Sequence, residues 1–161
     1  MPLIRPSRDD DVAAITAIYA HHVLHGTGSF ETEPPSGQDM ALRRADVLAK
    51  GLPYLVAEEG GRVLGFAYCN WFKPRPAYRY SAEDSVYVAH EAGGMGLGRL
   101  LLDALAGAAQ AVGVRKLLAA RRARSLEHAL DEEAQKAAQK AATHKKEEVA
   151  ALRTRMLDAI K

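Results

Sequence analysis

Four glycines fall within six residues, at Gly93, Gly94, Gly96 and Gly98, and an apolar helix-forming run begins among them. Just before lies SVYV at 85–88, which reads as a strand. A strand passing through a glycine loop into a helix gathers several unpaired backbone N–H groups at one point. The helix dipole adds partial positive charge there, so the chemistry on offer is anion binding, above all of a pyrophosphate. Glycine suits such a loop because a Cβ would block both the required backbone angles and close approach of phosphate oxygens. The stretch is not a Walker A loop, since no Lys-Ser or Lys-Thr closes it, and its spacing is not G-x-G-x-x-G. On composition alone, a plain turn that starts a helix accounts for it equally well.

Other residue types could also do chemistry. Glu83, ten residues before Gly93, reads from its own position as a solvated carboxylate at a strand start, and its neighbour Asp84 shows that acid at this point need not be special. His21 and His25 lie at i and i+4, on one helix face. Zinc needs a third or fourth ligand, and neither H-E-x-x-H nor a cysteine pair accompanies them, so structural or pocket-edge histidines and no metal are expected. Cys69 sits within an apolar run and reads as a small buried hydrophobe rather than a nucleophile. Tyr78 and Tyr80 alternate with Arg79 and Ser81, which fits half-buried strand positions.

These residues need elements to position them. Residues 3–5 read as a strand and Ser7 as the N-cap of a first helix, with Asp10 in its first turn. Val12, Ile15, Ile18, Tyr19 and His22 recur at helical spacing, carrying that helix to about His25. A second helix is expected behind Ser36, running to Lys50 and stopped by Gly51. Apolar segments at 54–57 and 63–72 flank EEGGR, a hairpin signal. YSAEDSVYVAH is a third long strand, with Val86 and Val88 on one face and Ser85 and Tyr87 on the other. The helix of the glycine stretch should run from about Leu97 to Val112, and VRKLLAA is a further short strand.

Beyond that point the chain changes character. All ten aromatic residues lie between Tyr19 and Tyr87, and the last glycine is Gly113. Residues 121–161 are composed mainly of helix formers, which predicts one long helix or a helical hairpin and a domain boundary near Ala120. With ten basic and seven acidic residues, the tail does not read as a nucleic-acid-binding segment. A helix-mediated association, such as a homodimer, is one use for it.

The bulk properties are those of a water-soluble globular chain. At 161 residues it has room for one core, and a formal net charge of +2 is too small to argue for nucleic acid or an acidic membrane. One cysteine fits a reducing compartment, and no apolar run is long enough to span a bilayer, so a cytoplasmic protein is expected.

The strand SVYVAHE followed by GGMGLGRLLLDAL resembles motif A of the GNAT superfamily of acetyl-CoA-dependent N-acetyltransferases, written Q/R-x-x-G-x-G/A. More narrowly, IYAHHVLHGTGSFETEPP, GLPYLVAEEGGRVLGFAY and KPRPAYRYSAEDSVYV resemble the phosphinothricin and methionine sulfoximine acetyltransferase subgroup. The resemblance covers residues 3–119. It implies an α/β fold with a mixed, mainly antiparallel sheet flanked by helices, without the family's usual C-terminal strands in the tail. It implies acetyl-CoA as co-substrate and a small amino-acid-like amine as acceptor.

Carried over by position, the backbone of Val86, Tyr87 and Val88 would meet the pantetheine arm. The loop Gly93, Gly94, Met95, Gly96, Leu97, Gly98 and Arg99 would hold the pyrophosphate, and Glu83 would act as base. Phe30, Glu31, Arg75, Tyr78 and Tyr80 would shape the amine pocket. Gly93 departs from the motif, where the family has Gln or Arg, and the tail lacks the asparagine and strands that complete the family's site. The alternative expectation is therefore an inactive core capped by an unrelated helix, serving binding or assembly.

Overall fold

The structure, a computed structural model, describes residues 2–26, 29 and 31–119. Expectations for the tail, and for Phe30, lie outside the described residues. Within them the order is β1 (Leu3–Pro6), α1 (Val12–His25), α2 (Gly37–Ala49), β2 (Tyr54–Glu59), β3 (Arg62–Trp71), β4 (Ser81–Val88), α3 (Leu97–Ala111) and β5 (Lys116–Ala119). The strands form one sheet in sequence order, antiparallel from β1 to β4 and parallel between β4 and β5. This is the expected mixed, mainly antiparallel sheet with flanking helices.

Alternation along the strands decides what each face carries. Tyr87 of β4 meets Tyr19 of α1 edge to face at 5.0 Å, and it stacks on its register partner Phe66 at 5.1 Å. Phe66, Tyr68 and Tyr54 continue that row in nearly parallel rings, so one face is an aromatic strip facing α1 and α2. The neighbouring residue Val88 points the other way, toward α3. A Cβ added at Gly65, the register partner of Val88, would come within 3.0 Å of Leu101 Cδ1. Leu97, Leu101, Leu105 and Ala109 recur every fourth residue and bury that side of α3 against the sheet. Gly65 thus sets how closely helix and sheet approach.

Most sequence expectations hold, with two corrections. Ser36 caps α2 by accepting from the Asp39 amide, and Asp39 answers onto the Ser36 amide. Gly60 and Gly61 both take positive φ in the β2–β3 turn, matching the hairpin reading. Ser7, however, does not cap the first helix. A 3-10 turn at Asp9–Asp11 intervenes, Asp11 accepts from the Arg8 amide at 2.6 Å, and the Ser7 hydroxyl instead accepts from Arg44 Nε at 2.7 Å. A partly buried guanidinium outcompetes a local cap for that oxygen. The second correction is that Tyr78 and Tyr80 are not strand residues. Tyr78 lies in a 3-10 turn (Pro76–Tyr78) and β4 starts only at Ser81. The two prolines of KPRP hold this connection out of the ladder.

Candidate active site

The glycine loop leaves β4 through a short 3-10 turn, His90–Ala92, and enters α3. Gly94 and Gly96 have φ of +79° and +76°, and a Cβ at either would meet nothing within 4 Å. Glycine is therefore required by the backbone and not by crowding, and among the described residues the space over the loop is open. Gly96 is the N-cap residue of α3, and no side chain among the described residues caps the helix. The N–H groups of Gly94 through Gly98 have no acceptor among the described residues, whereas those of Arg99 and Leu100 both turn back to the Gly96 carbonyl. Five consecutive donors at a helix N-terminus form a concave, anion-accepting surface. Gly93 has ordinary extended angles, Leu97 is buried, and Met95 and Arg99 are exposed, Arg99 lying 3.8 Å from Asp103.

On β4, Val86, Tyr87 and Val88 pair with Ala67, Phe66 and Gly65 of β3. Pairing with β5 covers Ser81–Asp84 only, so among the described residues Ser85–Val88 are paired on one side. A histidine attends this segment: His22 Nε2 donates to the Val88 carbonyl at 2.8 Å, and its ring lies 5.4 Å from that of Tyr87. His22 was visible as part of the helical period of α1. Its partner, sixty-six positions away in sequence, was not.

Glu83 is half-buried and opposite Asn70 of β3 in register, on the aromatic face. Its carboxylate has no ion pair or side-chain hydrogen bond among the described residues. Asp84, pointing to the other face, is 9% exposed, and burial pushes its carboxyl above the ordinary value. The two adjacent acids thus occupy different environments, one reachable and one enclosed. Cys69, the register partner of Asp84, is fully buried, and burial, then Asp84, pushes its thiol up to about 11. It is the inert buried residue expected.

The residues expected around the amine divide into two groups. Glu31 sits below α1, where Arg43 grips both its oxygens at 2.6 and 3.2 Å and the Tyr19 hydroxyl donates to it at 2.9 Å. Arg43 first, against partial burial, holds its carboxyl below the usual range. Arg75, Tyr78 and Tyr80 lie on the exposed β3–β4 connection. Tyr78 packs edge-on against Phe72, and Tyr80 lies between the guanidinium groups of Arg79 and Arg115, 4.7 and 4.4 Å from its ring centre. The His21 ring centre lies 4.9 Å from that of His25 and 4.8 Å from that of His90, and partial burial, then His25 and His90, holds His21 below its ordinary value. Among the described residues no group of three or more side chains is arranged to hold a metal ion, and no helix is long and apolar enough to cross a membrane.

A mixed sheet with a parallel β4–α3–β5 crossover, and unpaired backbone donors at the helix N-terminus after β4, defines an α/β domain with a loop chemically suited to an anion. The model of the Acetyltransferase (GNAT) family matches residues 15–132, and the chain belongs to that family. The match reaches past the limit of resemblance near Ala119. Among curated relatives, the chain is 53% identical to phosphinothricin N-acetyltransferase of Alcaligenes faecalis, over 72% of this chain and 59% of the relative. It is 38% identical to the L-methionine sulfoximine/L-methionine sulfone acetyltransferase of Salmonella typhimurium, over 72% and 68% of the two chains. A GNAT superfamily phosphinothricin acetyltransferase from Sinorhizobium meliloti, solved in complex with AcCoA, superposes with a TM-score of 0.71 at 39% identity, over 80% of this chain and 73% of the other. The chain spans about three-fifths of the length of the phosphinothricin N-acetyltransferases it matches.

Proposed function

We propose that the protein is an acetyl-CoA-dependent N-acetyltransferase that acetylates the amine of a small amino-acid-like substrate, of the phosphinothricin and methionine sulfoximine type. The observation that carries this reading is the bare row of amides from Gly94 to Gly98, open above, at the end of the strand that bears Glu83.

When bound, acetyl-CoA supplies the thioester whose acyl group is transferred. The loop from Gly93 to Arg99 holds the pyrophosphate, chiefly through the amides of Gly94, Gly96, Leu97 and Gly98. The singly paired backbone of Val86–Val88 takes the pantetheine arm. Glu83 removes a proton from the substrate ammonium, directly or through one water, and leaves the neutral amine with a lone pair for attack. Its carboxylate is free to do so, whereas Asp84 is turned into the core and Glu31 is held by Arg43. Glu31, Arg75, Tyr78 and Tyr80 border the amine side. Nothing among the described residues favours the inactive, capped core.

The test is thiol release from acetyl-CoA with phosphinothricin or methionine sulfoximine as acceptor. Turnover is expected in the full chain, and Glu83→Gln should lower kcat by roughly 10²- to 10⁴-fold, the usual contribution of a positioned base. A Glu83→Gln protein with undiminished kcat would remove Glu83 from the reaction.

A further inference from the structure

Tyr54 is 3% exposed, and its hydroxyl has no hydrogen-bond partner among the described residues. Buried polar groups are rarely left so, and the usual resolution is a bound water or a ligand. The residue lines a pocket of about 160 Å³ between α2 and the aromatic face of β2 and β3. Tyr68 and Asn70 share this lining. The Tyr68 hydroxyl is likewise unbonded, and Asn70 Oδ1 already accepts from Lys50 Nζ at 3.1 Å and the Trp71 amide at 3.0 Å. That leaves the Asn70 NH₂ to donate. The charged residues at the rim are occupied: Arg43 by Glu31, and Asp46 by Lys50 at 2.6 Å. Met40 and Val47 of α2 supply apolar wall.

The uncommitted polar groups are therefore two phenols and an amide NH₂, all able to donate, beside a short apolar surface. The complementary ligand is a short aliphatic stem ending in an acceptor-rich oxo or oxyanion group. The volume matches the roughly 150 Å³ that holds one benzene-sized molecule, so the tail of an amino acid fits and a nucleotide does not. Asn70 links the pocket to the chemistry, because it faces Glu83 across the β3–β4 register.

We propose that this pocket seats the side chain of the acceptor amino acid. Its terminal oxygen accepts from Tyr54, Tyr68 and Asn70, its stem lies on Met40 and Val47, and its α-amine lies toward Glu83. The exposed Arg75–Tyr80 connection then borders the entrance and does not select the side chain. This assignment rests on the acetyltransferase reading.

Tyr54→Phe tests it, because the ring keeps its stacking on Tyr68 and Phe66 and only the hydroxyl is lost. In the full chain, calorimetry would follow methionine sulfoximine, and methionine as the analogue without the tail oxygen, binding to the CoA complex. CoA affinity and melting temperature would be measured alongside. Expected are an unchanged CoA affinity, a melting temperature no lower than before, an affinity for methionine sulfoximine about tenfold weaker, and no change for methionine. An unchanged affinity for methionine sulfoximine, an equal loss for both amino acids, no binding of methionine sulfoximine to the CoA complex, or a lowered melting temperature overturns the pocket assignment. Failure of the unaltered chain to bind CoA instead overturns the acetyltransferase reading beneath it.

Discussion

The two sides of the site are built from different material. On the α3 side, the proposed recognition comes from backbone amides of five consecutive residues, and side chains matter mainly by being absent. On the α1–α2 side, the proposed recognition comes from side chains on three elements, α2, β2 and β3, beside Tyr19 of α1 and gathered on one face of the sheet. A backbone site tolerates most changes of side chain but fails when φ is wrong. A side-chain site keeps its backbone under substitution and loses selectivity one hydroxyl at a time.

This contrast can be broken or sharpened at named positions. The largest effect after loss of Glu83 is expected at Gly96, where φ is +76°. Gly96→Ala places a Cβ in the left-handed region at a cost of about 1–2 kcal/mol, and re-setting the loop should weaken CoA binding about tenfold. Gly107→Ala is the control: it sits mid-helix with nothing within 4 Å, so it should stabilise by roughly 0.5–1 kcal/mol and leave CoA affinity alone. Equal CoA affinities in the two variants would mean that the loop backbone does not hold the ligand.

A smaller effect is expected at His22, which joins the two sides by holding the Val88 carbonyl while packing on Tyr87. His22→Phe removes one hydrogen bond, worth about 1 kcal/mol, and should weaken CoA binding several-fold. His22→Gln, which restores a donor, should recover most of it. No difference between Phe and Gln would make His22 a packing residue only.

Asp84→Asn should leave both binding sides unaltered and change stability alone. The carboxyl is raised in the fold by burial, so the folded form holds its proton more tightly than the unfolded chain. Its contribution is intact below the ordinary value of 3.8 and is lost as pH rises through the raised folded value. Asn, always neutral, should therefore raise the melting temperature by a few degrees at pH 7, with the gap closing on acidification. Thermal melts at both pH values check this; a gap that widened toward low pH would mean that Asp84 is stabilised as the anion.

How much the sequence disclosed follows the same division. The loop was readable because its four glycines fall within six residues and carry their own physical reason, and the helices and hairpin were readable from period and turn chemistry. Ser7 misled because its competitor, Arg44, is thirty-seven positions away. Tyr78 and Tyr80 misled because alternation at a strand entrance resembles a strand, and only the prolines before them argue otherwise. The Tyr54 pocket had no local signal at all. Tyr54 and Tyr68 read as ordinary aromatic strand residues, and only the register brings them together near Asn70, which lies opposite Glu83.

The central claim is that this backbone holds an acetyl-CoA pyrophosphate. Calorimetric titration of CoA into the full chain tests it most directly: saturable one-to-one binding, weakened about tenfold by Gly96→Ala, is the predicted result, and no heat of binding at millimolar CoA would contradict it.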